Sequence, residues 1–81
     1  METRIAILGI IIENTDSVAA VNELLHENRD VIVGRMGMPY REKNVSVISV
    51  VLDATNDVIS ALSGKLGMID GVSAKAVYSK R

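Results

Sequence analysis

The sequence predicts an α+β sandwich of the ferredoxin-like (βαββαβ) type: one four-stranded antiparallel sheet with two helices on one face. Three observations predict it. The apolar pattern changes period along the chain in the order strand, helix, strand, strand, helix, strand. Two of the strand-like runs, 5–12 and 45–52, are apolar on both alternating faces, as strands covered on both sides are. Right-handed crossovers applied to that order put these two runs, the first and third strands, at the centre of the sheet.

The first strand, 4–13, is dense in β-branched residues, and Asn14-Thr15-Asp16-Ser17 follows with several candidate helix caps. Val18, Val21, Leu24 and Leu25 then recur at helical spacing, with Asn22, Glu23, His26 and Glu27 toward the other side, which predicts a helix over 16–28. Asn28-Arg29-Asp30 ends it. A second strand, 31–38, is weakened by Gly34 and Gly37 and stopped by Pro39, which places it at an edge. The polar run 40–44 turns the chain into a third strand, 45–53, so these two strands form a hairpin whose register the glycines leave open. Residues 53–57 repeat the cap chemistry, and Val58, Ile59, Leu62 and Leu66 form the apolar stripe of a second helix. Gly67 is expected as a left-handed cap, and Asp70-Gly71 as a turn into the last strand, 72–78.

Eighty-one residues suffice for one domain, 1–81, with a small core of Val, Ile, Leu and Ala: apolar residues are 48% of the chain and aromatic ones 2%. The absence of cysteine excludes disulfides, thiolate metal sites and thiol catalysis, and fits a cytoplasmic location. Residues 1–12 lack the cleavage chemistry of a signal peptide, and no run is long enough to span a bilayer. A net charge of -1, with only Ser79-Lys80-Arg81 as a basic tail, argues against direct nucleic-acid binding.

Two-faced apolar strands in so short a chain also predict assembly. If the helices cover one set, say Ile5, Ile7 and Ile11, the other, Ala6, Leu8, Ile10 and Ile12, is left facing water, and a symmetric homodimer or higher homo-oligomer would cover it.

The first candidate ligand site is the glycine-bearing segment around Pro39. Arg35 and Arg41 flank it, Gly34 and Gly37 permit close backbone approach, and Tyr40 adds a hydroxyl or a stacking face, a set suited to a small carboxylate or phosphate. The plainer reading is a hairpin shaped by glycine, with the charges solvated or paired with Glu42. Ser63-Gly64-Lys65-Leu66-Gly67 falls at a helix end, the wrong context for a phosphate loop; there Gly64 allows close helix packing and Lys65 suits the helix dipole. His26, the lone histidine, belongs on the polar helix face, and no metal or cofactor is expected. Asn14, Thr15 and Asp16 are expected as caps rather than as an anion site. No nucleophile with an adjacent base and no pair of carboxylates at hydrolase spacing is present, so the chain does not read as an enzyme. The acylphosphatases, which share the topology, need an Arg in the loop after the first strand, where this chain has none. RNA binding on this topology needs exposed aromatics on the central strands, and those strands have none.

The segments Asn22-Glu23-Leu24-Leu25-His26, Gly34-Arg35-Met36-Gly37-Met38-Pro39-Tyr40-Arg41-Glu42 and Ala61-Leu62-Ser63-Gly64-Lys65-Leu66-Gly67, followed by Gly71-Val72, resemble the iron-only hydrogenase system regulator family over essentially the whole chain. The resemblance implies an ACT-like domain, related in fold to amino-acid-sensing ACT domains and to the metal-binding domain of the nickel-responsive repressor. It also implies a regulatory role. Unlike the amino-acid-binding domains, this chain has neither Gly nor Pro in Glu13-Asn14-Thr15-Asp16, and unlike the nickel-responsive relatives it has one His, no Cys and no DNA-binding segment. Two functions follow as expectations. One is a small-molecule-sensing regulatory domain holding an anion near Arg35, Tyr40 and Arg41 or between subunits. The other is a ligand-free interaction module that docks onto a regulatory or maturation protein.

Overall fold

The computed structural model describes residues 2–80; Met1 and Arg81, the last residue of the basic tail, lie outside the described residues. The chain runs through β1 (Arg4–Ile12), a 3-10 turn (Thr15–Ser17), α1 (Val18–Glu27), a second 3-10 turn (Arg29–Val31) and β2 (Ile32–Tyr40). A third such turn (Arg41–Lys43), β3 (Val45–Ala54), α2 (Asn56–Gly67) and β4 (Val72–Tyr78) complete it. The strands form one sheet in the order β2-β3-β1-β4 with every neighbouring pair antiparallel, the ferredoxin-like, ACT-like arrangement with β1 and β3 at its centre.

Local chemistry explains most boundaries. The Asn14 side chain accepts from the Asp16 amide at 3.0 Å and opens the 3-10 turn that leads into α1, so the regular helix begins at Val18 rather than at Asp16. Thr55 caps α2 by accepting from the Val58 amide at 3.3 Å. Asn44 closes the β2–β3 turn in the left-handed region, with φ of 56°, a conformation Asn tolerates well.

Three local expectations change. Pro39 does not stop β2, which continues to Tyr40 with Pro39 opposite Ser46. An edge strand has a solvent side where a missing amide costs no ladder bond. The glycines do not scramble the register either, which slips once, between Ile32 and Gly34. Gly67 is the last residue of α2 rather than a left-handed cap; Met68 ends the helix with φ of -85°. The left-handed glycine is Gly71, with φ of 71°, where a Cβ would lie 2.6 Å from that of Asn14.

The core lies between the sheet and the two helices. Its buried set comprises Ala6, Leu8, Ile10 and Ile12 of β1 and Ile48, Val50, Leu52 and Ala54 of β3. Onto these pack Val21 and Leu25 of α1 and Ile59, Leu62 and Leu66 of α2, each helix presenting one apolar stripe. Complete burial of side chains of this size stabilises by about 1.5–3 kcal/mol apiece.

Of the two alternations of β1, which periodicity alone leaves equivalent, the even-numbered one faces the helices. The helices cover Ala6, Leu8, Ile10 and Ile12, while Ile5, Ile7 and Ile11 stand on the open face. The ladder supplies the reason. Gly9 shares its face with Ser49 on β3 and Lys75 on β4, and Ile5 with Asp53, whereas Ala6, Leu8 and Ile10 are flanked on β3 by Leu52, Val50 and Ile48. Burying the odd face under helices would bury a lysine and an aspartate, so the even face goes inward.

Candidate functional site

The alternation of β2 decides what its glycine-bearing segment can do. Arg35 pairs with buried Val50 and so points to the helix side of the sheet, where its guanidinium donates to Asn22 Oδ1 of α1 at 2.9 Å. Tyr40 pairs with Val45, on the same side of β3 as Val47 and Val51, and therefore stands on the open face; its hydroxyl donates to Glu42 Oε2 at 3.2 Å. Arg41 begins the following turn and is exposed. Tyr40 and Arg41 are brought together, while Arg35 is five residues away, roughly 16 Å along the strand, and across the sheet. Within one protomer the three do not line one pocket. Gly34 has no atom within 4 Å of where its Cβ would be, and Gly37 meets only Ile48 Cγ1 at 3.9 Å, so these glycines leave open surface instead of a close approach.

The loop after β1 is closed by the chain itself. Asn14 Nδ2 donates to Asp70 Oδ2 at 2.6 Å, the Ser17 hydroxyl to the Asp70 carbonyl at 2.7 Å, and the Glu13 amide to the Gly71 carbonyl at 2.7 Å. With the Asp16 amide capped by Asn14, these contacts weld the β1–α1 loop to the turn before β4 and occupy groups that an anion would otherwise use. At the opposite end Arg4 donates to the Ser79 carbonyl and lies 5.0 Å from the Tyr78 ring centroid, fastening the end of β4 to β1.

Other sequence candidates take plain positions. His26 is exposed on α1, and among the described residues no group of three or more His, Cys, Asp or Glu side chains is placed to hold a metal ion. Gly64, expected to let α2 pack closely, has open space around it, and Lys65 lies in the last turn of α2 on the rim of a shallow groove between the helices. Among the described residues no helix is long and apolar enough to cross a membrane.

The surface with the strongest physical signature is the open face of the sheet. Its rows run across the strands in register: Met38, Val47, Ile11 and Ser73; then Met36, Ser49, Gly9 and Lys75; then Gly34, Val51, Ile7 and Val77. Because Gly9 lacks a side chain, the surface dips beside Ile11 and Val47, while Met36 and Lys75 stand exposed at the two ends of the same row. A depression of about 400 Å³ lies over Gly9, Ser49 and Lys75, and another of about 270 Å³ continues it between Met36 and Met38. Sequence reading found that one face must lie open but missed Gly9. The available signal was parity: Gly9, Ser49, Asp53 and Lys75 all fall on the alternation that contains Ile7.

The chain is similar over 98% of its length to the structure of the uncharacterized protein TM1266 from Thermotoga maritima, at 46% identity and a TM-score of 0.93, covering all of that chain. It shares its fold with part of a formyltetrahydrofolate deformylase from Pseudomonas putida KT2440, at a TM-score of 0.68 and 14% identity over 95% of this chain and 29% of the deformylase. No curated protein matches the sequence. A family model described as "TM1266-like: Iron-only hydrogenase system regulator, putative" matches residues 4–76, and the chain belongs to that family.

Proposed function

We propose that this chain is a non-catalytic regulatory domain that works as a cytoplasmic homo-oligomer and acts through protein contacts, without touching nucleic acid, on a regulatory or maturation protein of the iron-only hydrogenase system. The observation that carries the reading is the open sheet face, where Ile5, Ile7, Ile11, Met36, Met38 and Val77 are all exposed. So much apolar surface on so small a chain marks a contact surface. Family membership points the same way. A catalytic role would need several polar groups with convergent roles, and Arg35, Tyr40 and Arg41 are divided between the two faces of the sheet.

The finer part of the proposal is that the assembly senses a small carboxylate or phosphate. Arg35 offers a planar fork of donors beside Asn22, and Tyr40 with Arg41 offers a second anchor at the strand end. An anion engaging both sets would do so between protomers and so alter assembly. The alternative, a ligand-free interaction module, is favoured by the separation of Arg35 from Tyr40 within one protomer.

Native mass spectrometry of gently purified protein tests both parts. Multiples of the 8.7 kDa chain are expected, and a monomer at micromolar concentration would sink the assembly reading. Stoichiometric added mass that disappears in Arg35→Ala with Arg41→Ala, with assembly intact, supports sensing. Unchanged oligomer without added mass, at any concentration of supplied phosphate or acetate, rejects it in favour of the module.

A further inference from the structure

Most of the open sheet face is apolar, and its polar side chains are not spread evenly over it. Ser49 and Lys75 stand directly across the two ladders from Gly9, one strand to either side, and Ser73 lies opposite Ile11 on β4. Neighbouring strands are about 4.8 Å apart, so two hydroxyls and an ammonium surround one residue that has no side chain. The depression of about 400 Å³ lies there, with Gly9 in its floor and Ile11 and Val47 as its apolar side. Among the described residues, none of these three polar side chains makes a hydrogen bond or an ion pair within the protein. The fold does not require the glycine, which costs a central strand both side-chain packing and backbone entropy. Its φ is not in the left-handed region, and a Cβ built on it would meet nothing closer than the Lys75 carbonyl oxygen at 3.9 Å. Gly9 thus keeps open a space that the protomer itself does not need.

We infer that this depression binds a small aliphatic monocarboxylate, its carboxylate over Gly9 between Lys75 and the Ser49 hydroxyl and its chain along Ile11 and Val47. The site stands on different residues from the anion site proposed at Arg35, Tyr40 and Arg41 and goes beyond it. The sign of the ligand follows from the ladder. Lys75 flanks Gly9, whereas Asp53, the one carboxylate that the strands carry on this face, pairs with Ile5, four residues from Ser49 or roughly 13 Å along β3. An ammonium and a hydroxyl can both donate to one carboxylate, a charge-assisted pairing. The rest of the lining is apolar, so the further charged oxygens of a phosphate would be turned against Ile11 and Val47 at a desolvation cost. Size fits as well, since small-molecule sites run from about 300 to 1,000 Å³. The neighbouring depression of about 270 Å³ shares Val47 and Ser49 and ends at Met36 and Met38. An aliphatic chain therefore has a path from Gly9 across β3 to β2, two strand spacings or roughly 10 Å. At its end the flexible, polarizable methionines adapt to chains of different length.

The test is equilibrium dialysis with octanoate as the probe and octanol, octylammonium and acetate as comparisons, with circular dichroism to establish that each variant is folded. Saturable binding of octanoate is expected, about tenfold tighter than octanol or acetate, and octylammonium should not compete. Lys75→Met keeps the length of the side chain and removes its charge, so octanoate affinity falls about tenfold while octanol is unaffected. Gly9→Val fills the depression and weakens both ligands by about tenfold or more; Gly9→Ala, the smaller change, weakens both less and serves if the valine variant does not fold. Arg35→Ala with Arg41→Ala leaves octanoate binding as it is. Folded wild type without saturable octanoate binding overturns the inference, and so does binding that is unchanged in Lys75→Met and in the glycine variants. Octanol held as tightly as octanoate overturns the role of Lys75, and loss of binding in the arginine variant moves the site to those arginines. Sedimentation velocity on the same samples reads assembly separately. An oligomer that binds no octanoate defeats the ligand site alone, and a monomer that binds it defeats only the homo-oligomeric reading.

Discussion

The two faces of β1 carry nearly the same chemistry and meet opposite fates. On one side Leu8 and Ile10 are completely buried under α1 and α2; on the other Ile7 is 48% exposed one residue away. The even face makes the fold, and every residue on it has neighbours within the protomer. The odd face, interrupted by Gly9 and bounded by Ser49, Asp53 and Lys75, contributes little to closing the core. Hydrophobicity alone therefore does not distinguish a core position from a contact position. What distinguishes them is the company a residue keeps across the ladder.

That contrast is breakable. The largest effect is expected for Leu8→Ala, which opens a cavity in the core and should lower unfolding free energy by about 2–5 kcal/mol in urea denaturation, whereas Ile7→Ala in the dissociated protomer should cost well under half as much. Equal losses would mean that the open face is as structural as the closed one. Next comes Gly71→Ala, which combines a left-handed backbone with a clash against Asn14 and should cost more than about 1 kcal/mol through the weld between the β1–α1 loop and the β4 turn. Thermal melting would register it, and a melting temperature equal to wild type would deny that weld any role. Thr55→Ala removes the cap on α2 and should cost on the order of 1 kcal/mol, read in the same way. The smallest effect belongs to Arg35→Ala with Arg41→Ala, two exposed positions whose replacement should leave unfolding within about 0.5 kcal/mol per site. A larger loss would make these arginines part of the framework and remove them as candidates for an anion site.

The element order, the hairpin turn at 40–44 and the central placement of the first and third strands were all legible, because each rests on periodicity and on crossover handedness. The end of β2 was not, since whether Pro39 terminates a strand depends on which side of that strand is free. Nor was the place of the left-handed glycine, which is not Gly67 but Gly71, in the Asp70-Gly71 turn that the sequence did predict. Both follow a helical stripe, and only the approach of Asn14 singles out Gly71 as the residue that must lack a side chain. The candidate site was half legible. Arg35, Tyr40 and Arg41 lie near one another in sequence, yet a strand turns sequence proximity into alternate faces, so odd separation and even separation have opposite meanings.

By itself the sequence determined the fold class, the family and the fact that more apolar surface exists than one small chain can bury, because these depend on composition, spacing and order. The tertiary structure decided which alternation faces the helices and set Gly9 in a depression of the open face beside Ile11. A pattern of period two is unchanged when its faces are exchanged, and only the register with β3 and β4 ties one face to Lys75 and Asp53 and so to the outside.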